Sequence, residues 1–247
     1  MDWQEHIRQA AYAWLLGERP PDCLPGNLLL LLGNPDLFQA PAVHAHFDTV
    51  EQVGVFRVGR CGQMDVAFTT PKFGAPVVAM YLEVAAMAKV RRVIAVGYAG
   101  GLAADVRVGD LFVPRRAVGE DGTTGAYFGA QYEVAGTAGL CATLESAAGE
   151  AGMGWSSGTI VSIDALMLES SAQIDEWHLR GYGAVDLETA CVYALGAELG
   201  IECAALHIIS DSPFRHDTDR EARHMASLDD QLQLALRALA AAEEERR

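Results

Sequence analysis

The sequence predicts an α/β fold, a single three-layer α/β/α domain with a mixed, largely parallel central sheet. Short uncharged apolar runs such as Leu28–Leu32 and Val93–Val96 end at glycine and are typical of buried parallel strands. Segments of helical periodicity lie between these runs, which places helices against both faces of the sheet. Two strands in direct succession near residues 50 to 70 make the sheet mixed. We expect one domain over residues 1–247, with residues 1–27 as an N-terminal helical extension.

Composition limits the possible partners. Hydrophobic residues make up 51% and charged residues 21% of the 247 residues, so the chain can bury a large core. A net charge of -15 opposes binding to nucleic acid, which requires clustered cations. Lys72 and Lys89 are its two lysines. An anionic substrate would therefore need nearby arginines, backbone N–H groups or a helix N-terminus.

The sequence also predicts where the protein works. No run of apolar residues approaches the 18 or so that a membrane helix needs, so we expect no membrane association. The five cysteines are odd in number and form no Cys-x-x-Cys pair, which argues against disulfides and zinc. We expect a reduced, cytoplasmic protein.

The first helix is amphipathic. Trp3–Leu16 spaces its apolar side chains at helical intervals and meets Gly17 and a Pro-Pro pair, which end the helix. We expect Trp3 and Trp14 to pack on the main body of the protein or on another subunit.

The remaining elements alternate along the chain. A flexible turn over Gly97–Gly101 is predicted after the strand Arg92–Val96, and the glycine-rich stretch Gly119–Tyr132 is predicted to be an irregular lid or interface loop. The other predicted strands are Leu28–Leu32, Val50–Val58, Gln63–Phe68, Asp110–Val113, Gly158–Ile163, Ala184–Leu187 and Cys203–Ile209. The other predicted helices are Asp36–Phe47, Pro76–Lys89, Gly139–Ala151, Ser170–Arg180, Glu188–Leu199 and Asp217–Arg247.

Four strand ends carry polar or flexible residues. They are Gly33-Asn34-Pro35, Gly97–Gly101, Asp186–Ala190 and Ser210–Pro213. Because the carboxyl ends of parallel strands gather at one edge of a sheet, we expect these segments to converge on one cleft.

The order and spacing of these segments resemble those of the nucleoside phosphorylase and nucleosidase superfamily. The resemblance extends over roughly residues 28 to 240 and is carried by Gly97-Tyr98-Ala99-Gly100-Gly101-Leu102 with Gly109-Asp110, Val185–Ala190 and Ile209-Ser210-Asp211. It implies a phosphorylase-like fold and cleavage of the N-glycosidic bond of a small-molecule nucleoside. It also implies a homo-oligomer and no cofactor, with inorganic phosphate as co-substrate of a phosphorylase.

The resemblance assigns the sugar site to the segment Val185–Ala190. Glu188 matches the family acid that hydrogen-bonds the ribose hydroxyls, and Leu187 matches the methionine beneath the sugar. Asp186 stands where the family usually has a longer acid. The alternative for Glu188 is a purely structural role, in which its charge favours a helix N-terminus.

Asp211 matches the family acid that donates a proton to purine N7 as the glycosidic bond breaks, a role typically worth about 10² to 10⁴ in rate. The alternative is a turn or helix-cap aspartate before Ser212-Pro213. By the same resemblance the nucleoside is bound by a set of neighbouring residues: Ser210, Gly97, Tyr98, Ala99 and Gly100. The Gln-x-Arg motif of uridine phosphorylases does not occur between Ser162 and Glu188, which favours a purine base.

Two weaker candidates complete the substrate site. Asp164 lies at a predicted strand end beside the expected base pocket, and a helix cap is the alternative. Arg223 resembles a family arginine that approaches the catalytic aspartate, with a surface salt bridge as the alternative. His44, His46 and His216 lie in no metal-ligand pattern, so no metal is predicted.

The phosphate site departs from the family pattern. Leu37 and Ala95 stand where phosphorylases usually have arginines, and Tyr98 replaces a small residue. Gly33, Arg57 and Lys72 are the weak phosphate-binding candidates. We therefore predict phosphorolysis of a purine nucleoside and keep two alternatives open, a hydrolytic nucleosidase and a nucleoside-binding paralogue without turnover.

Overall fold

The structure, a computed structural model, describes residues 2–33, 41–214 and 226–245. The strands are β1 Asn27–Leu31, β2 Thr49–Val53, β3 Phe56–Cys61, β4 Met64–Thr69, β5 Arg92–Gly101, β6 Leu111–Gly119, β7 Tyr132–Ala135, β8 Trp155–Ser162, β9 Ala184–Asp186 and β10 Glu202–Asp211. The helices are α1 Trp3–Leu16, α2 Pro41–His44, α3 Ala75–Met87, α4 Gly122–Phe128, α5 Ala138–Glu150, α6 Ser171–Leu179, α7 Thr189–Leu199 and α8 Leu228–Glu244, with a 3₁₀ turn at Leu166–Leu168.

The described strands form one mixed sheet that closes on itself at one end. β2, β3, β4, β1 and β5 pair in that order, with β1 parallel to both β4 and β5. Beyond β1, β5 pairs with both β10 and β9, and the pairing continues through β8 and β6 back to β10. Five strands therefore make a closed ring, and the end of β5 lies between two partners.

The sheet separates two helical layers, which confirms the predicted three-layer α/β fold. Along β1, Leu28 and Leu30 belong to the apolar core that includes α3 and α7. Leu29 and Leu31 belong to the core on the other face, which includes α5 and α8. Alternate side chains of a strand point to opposite faces, so this all-leucine strand is buried on both sides.

The glycine-rich segment after Val96 is a strand, and the predicted turn is wrong. Residues 97–101 continue β5, pairing in parallel with β10 and antiparallel with β9. A Cβ on Gly97 would lie 2.9 Å from the Cβ of Leu32, and one on Gly100 would lie 3.1 Å from Cγ1 of Val185. These glycines therefore allow close approach of neighbouring chain segments.

Two other segments also differ from the predictions. The stretch Gly119–Tyr132 contains α4, because the Asp121 carboxylate accepts a hydrogen bond from the Thr124 N–H at 2.7 Å and caps the helix. The predicted strand Val50–Val58 is split into β2 and β3 by a turn at Gly54, where φ is +64°.

Three predictions about helices also differ from the structure, and the first concerns the tryptophans of α1. Trp3 and Trp14 are 71% and 72% exposed, so packing on the main body is wrong for both side chains. Tyr12, Leu15 and Leu16 bury α1 instead. The last helix begins at Leu228, later than predicted, and of the predicted helix Asp36–Phe47 the described part holds only Pro41–His44. In the described ranges, no helix is long and apolar enough to cross a membrane.

Candidate active site

An open cavity of about 320 Å³ lies at the ends of β1, β5 and β10 and at the junction of β9 with α7. Eight residues predicted from the sequence line it: Gly33, Tyr98, Ala99, Gly100, Leu187, Glu188, Ser210 and Asp211. The other lining residues are Leu32, Phe73, Leu166, Glu169, Val185 and Asp186. Segments that are far apart in sequence thus meet in one cleft, as expected for strand ends of an α/β sheet.

Glu188 is the buried acid of this cavity. Its Oε1 accepts a hydrogen bond from the Gly74 N–H at 2.7 Å, which ties the β9–α7 junction to the start of α3. Burial, followed by the charge of Asp186, raises the pKa of the Glu188 carboxyl to about 7. Although Glu188 occupies the N-cap position of α7, its side chain makes no cap hydrogen bond. The alternative in which the charge of Glu188 favours the N-terminus of α7 does not need such a bond and stays a prediction.

Asp186 performs the capping function. Its Oδ2 accepts hydrogen bonds from the N–H and the hydroxyl of Thr189 at 2.9 and 2.5 Å, and its Oδ1 accepts from the Ser162 hydroxyl at 2.5 Å. Since the shorter aspartate is fully engaged here, its role is to fix the backbone that carries Glu188.

His207, on β10, completes this buried network. With the Thr189 hydroxyl proton directed to Asp186, Nε2 of His207 donates to the Thr189 oxygen at 2.8 Å. Burial lowers the pKa of the His207 imidazole, which is consistent with this neutral tautomer.

Asp211 lies at the exposed end of β10. The pairing register with β5 shifts between Ile209 and Asp211, so a bulge places this carboxylate beside Gly100. The Ser210 hydroxyl donates to Oδ1 of Asp211 at 2.8 Å and lies 3.3 Å from the carbonyl oxygen of Ala99. The bulge therefore places the Asp211 carboxylate in the lining of the cavity that also contains Glu188.

Glu169 is a lining residue that the sequence did not reveal. It follows the 3₁₀ turn Leu166–Leu168, and its Oε1 is buried without a hydrogen-bond partner among the described residues. Burial, followed by the charge of Asp211, raises the pKa of the Glu169 carboxyl. The segment between Asp164 and Ser170 shows no strand or helix periodicity. The one indication of Glu169 in the sequence is its position between a predicted strand end and a residue that can cap a helix.

Other sequence candidates lie elsewhere. Gly97 is buried within β5 and does not line the cavity. Asp164 accepts a hydrogen bond from the Gly122 N–H at 2.7 Å, so it caps α4 and does not face the cavity. Arg57 contacts His44, and Lys72 is an exposed loop residue; neither lines the cavity. Arg223 lies outside the described residues.

Aromatic side chains stand beside Gly33, where phosphate binding was predicted. A Cβ on Gly33 would lie 3.9 Å from Cδ2 of Tyr98 and 4.0 Å from Cε1 of Phe73. Four carboxyl groups line the cavity, from Glu169, Asp186, Glu188 and Asp211, and the described lining includes no lysine or arginine. This lining stabilises positive charge that develops on a bound molecule.

Comparison with known proteins gives the family context. A family model described as the phosphorylase superfamily matches residues 27–244. A guanosine phosphorylase of Halorubrum lacusprofundi is 30% identical over 142 residues, which cover 58% of this chain and 59% of that relative. A uridine phosphorylase of Thermococcus kodakarensis is 23% identical over 230 residues, covering 83% of this chain and 82% of the relative.

A solved structure shows the same fold. Uridine phosphorylase from Vibrio fischeri ES114, complexed with 6-hydroxy-1-naphthoic acid, superposes with a TM-score of 0.77. The superposition covers 91% of this chain and 94% of that one, at 19% sequence identity.

Proposed function

This chain belongs to the phosphorylase superfamily, and we propose that it cleaves the N-glycosidic bond of a purine nucleoside by phosphorolysis, giving free base and ribose 1-phosphate. The observation that carries the proposal is the meeting of Glu188 and Asp211 in one cavity. One acid is buried at the β9–α7 junction and the other is exposed at the end of β10. A nucleoside that spans the cavity can contact both.

The two acids suit the two halves of a nucleoside. Glu188, held by Gly74, presents acceptor oxygen to the ribose hydroxyls. Asp211 protonates N7 of the base, so that the leaving base departs neutral. The carbon–nitrogen bond then breaks to give an oxocarbenium-like sugar, whose positive charge the surrounding carboxyl groups stabilise. Phosphate attacks the anomeric carbon, which completes the transfer.

The choice of a purine rests on the base end of the cavity. Asp211 offers a proton donor for N7, an atom that pyrimidines lack. Gln173 is the one glutamine between Ser162 and Glu188 and is followed by Ile174-Asp175, so the Gln-x-Arg motif is absent. The guanosine phosphorylase relative also supports a purine substrate. Because another relative is a uridine phosphorylase, uridine is included as the comparison substrate in the base-release experiment.

Hydrolysis is the second candidate, because the described lining has four carboxyl groups and no cation. Phosphate would be repelled by such a lining, whereas water would not. Arg57 and Lys72 lie outside the lining.

The deciding experiment measures base release from inosine, adenosine, guanosine, methylthioadenosine and uridine, with and without phosphate. Phosphorolysis predicts purine release that requires phosphate and yields ribose 1-phosphate. Free ribose at a rate independent of phosphate would establish the hydrolase instead. Tight nucleoside binding without product under either condition would show a binding paralogue and refute both enzymatic readings.

We also propose a homo-oligomer. Trp3 and Trp14 project from α1 with more than two thirds of their surfaces exposed, although the same helix buries three other side chains. Exposed aromatic side chains of this size are typical of protein contacts. Sedimentation of the full chain should show an assembly larger than a monomer, and a monomer at micromolar concentration would refute it.

A further inference from the structure

The first helix, α1, carries an exposed apolar stripe. The stripe consists of Trp3, Ile7, Ala10 and Trp14, and its three large side chains are 71%, 50% and 72% exposed. Their spacing of four, three and four residues places all four on one side of the helix, as at the contact positions of a coiled coil. The family model matches residues 27–244, so α1 lies outside the matched region.

The opposite side of α1 holds the helix against the rest of the protein. Leu15 and Leu16 are buried, and the Val55 N–H donates to the Leu15 carbonyl oxygen at 2.8 Å. Nε of Arg8 donates to the Glu83 carboxylate on α3 at 3.1 Å. The exposed stripe is therefore presented by a helix that is already packed.

The exposed stripe is complementary to itself. It is symmetric about a point midway between Ile7 and Ala10, because Trp3 precedes Ile7 by four residues and Trp14 follows Ala10 by four. When two copies of α1 run antiparallel, the central isoleucine of each copy faces the alanine of the other, and the tryptophans at the ends face each other. Large side chains then meet small ones at the centre, and aromatic rings meet at both ends. A two-fold axis generates this arrangement.

A groove beside the exposed stripe enlarges the surface that a second copy can cover. The groove has a volume of about 560 Å³ and lies between α1, α3 and α4, with Trp3 and Ile7 on one wall and Met80 and Tyr127 among its other lining residues. The two tryptophans of one copy expose about 200–350 Å². Two copies thus supply roughly a third to a half of the about 1,200 Å² at which stable interfaces begin. In an antiparallel pair the same flank of each helix lies on the same side, so the two grooves can supply further area.

Charge favours a second copy over a membrane as the occupant. Arg8 is the one arginine or lysine within α1 and is paired with Glu83, whereas helices that bind membrane surfaces usually have several basic residues. The positions that flank the stripe carry no acid, so two copies can approach there despite a net charge of -15. These positions are Gln4, His6, Ala11 and Ala13.

We propose that the exposed stripe is the contact surface of a two-fold dimer, in which α1 of one copy packs antiparallel on α1 of a second copy. This inference rests on the proposed homo-oligomer and specifies its interface. Within the described residues, α1 contributes nothing to the lining of the candidate active site, so the pairing serves assembly and is separate from bond cleavage.

The first test introduces a charge at the centre of the stripe. Ile7→Lys places an ammonium group in the contact and should raise the dissociation constant of the pairing by about tenfold or more in sedimentation equilibrium. Gln9→Lys, at an exposed position of α1 outside the stripe, is the matched control and should leave the constant unchanged. Since an added lysine reduces the net negative charge in both variants, weaker association of Ile7→Lys alone cannot come from general repulsion.

The second test determines the direction of packing. In an equimolar mixture of Ile7→Lys and Ala10→Glu, an antiparallel pair places the new lysine against the new glutamate and keeps one native isoleucine–alanine contact. The mixture should therefore associate at least about fivefold more tightly than either variant alone. A parallel pair would bring neither charge to its counterpart, so a mixture no tighter than the separate variants would overturn the inference.

The outcomes separate this inference from the proposals on which it rests. A wild type that is a monomer at micromolar concentration refutes both the homo-oligomer and its interface. An assembly whose size does not change in Ile7→Lys leaves the homo-oligomer intact and refutes pairing through α1, and the exposed stripe then faces a different partner. Base release is measured independently, so failure of the proposed reaction does not affect the result.

Discussion

The two acids assigned to catalysis and sugar binding differ in their surroundings. Glu188 is buried, and burial raises the pKa of its carboxyl to about 7. Asp211 is exposed on the bulge at the end of β10, with the Ser210 hydroxyl as its partner. Carboxyl groups in such different environments take different roles within one active site. A buried acid suits sugar hydroxyls, and an accessible one suits proton exchange with a base.

Replacing Asp211 with asparagine tests the proton-transfer role. The amide preserves size and accepts from Ser210, but it cannot protonate N7. We expect Asp211→Asn to reduce kcat for purine cleavage by at least about tenfold, the low end of general acid catalysis. Because the side chain is exposed, the urea midpoint of unfolding should not change. An unchanged cleavage rate would show that Asp211 is a structural residue.

Glu188 predicts a pH dependence of stability. Its folded pKa of about 7 lies above the unfolded value of 4.5, so folding favours the protonated carboxyl. This contribution is fully present below the unfolded value and is lost as pH rises through the folded value. Relative to Glu188→Gln, which imitates the protonated acid, the wild type should lose about 2–3 kcal/mol of unfolding free energy between about pH 5 and pH 8.

Urea unfolding of both proteins across this pH range measures the difference. Glutamine retains the acceptor for the Gly74 N–H, so the variant should fold. Parallel pH profiles of wild type and variant would mean that Glu188 ionises normally in the folded protein.

At the level of elements, the order of strands and helices was predictable because burial leaves an apolar pattern in the sequence. Strands buried on both faces are continuous apolar runs, and helices buried on one face repeat apolar residues at helical spacing. The five leucines from Leu28 needed no tertiary information to be identified as a strand. The glycines after Val96 misled the prediction, because local propensity favours a turn, whereas pairing with β9 and β10 keeps the segment extended. Hydrogen bonds to β9 and β10 therefore determine that this segment is a strand.

In the candidate site too, some residues were predictable from sequence patterns and others depend on tertiary structure. Glu188 and Asp211 lie in segments with recognisable order and spacing, so the sequence placed them at one cleft. Glu169 follows an exposed Leu-Met-Leu turn that carries no periodic pattern. Its place in the cavity depends on the path of the chain between β8 and α6. Asp164, five residues earlier, was predicted to lie in the substrate site, but its carboxylate caps α4.

The close packing of β5 can be tested with one added methyl group. Gly97→Ala places a Cβ 2.9 Å from the Cβ of Leu32, beneath the cavity. We expect it to lower the unfolding free energy by about 1–3 kcal/mol, as overpacking does. Gly139→Ala in α5 is the matched control, since open space surrounds its added Cβ, and it should be neutral or stabilising by about 0.5–1 kcal/mol. Equal effects of the two substitutions would contradict close packing at Gly97.

For the molecule as a whole, charge is the main constraint on the second substrate. The chain carries a net charge of -15, and the described cavity lining contains four of its carboxyl groups and no lysine or arginine. Both the long-range field and the local lining oppose the approach of a phosphate dianion. A neutral nucleoside is not subject to this repulsion, so the two substrates should respond differently to ionic strength.

If the enzyme is a phosphorylase, its KM for phosphate should fall about two- to fivefold when sodium chloride is raised from about 20 to about 200 mM, because salt screens the repulsion. The KM for the nucleoside, measured in the same solutions, is the internal control and should change little. A KM for phosphate that rises with salt would contradict the prediction. It would mean that cations beyond the described lining bind phosphate and that chloride competes for them.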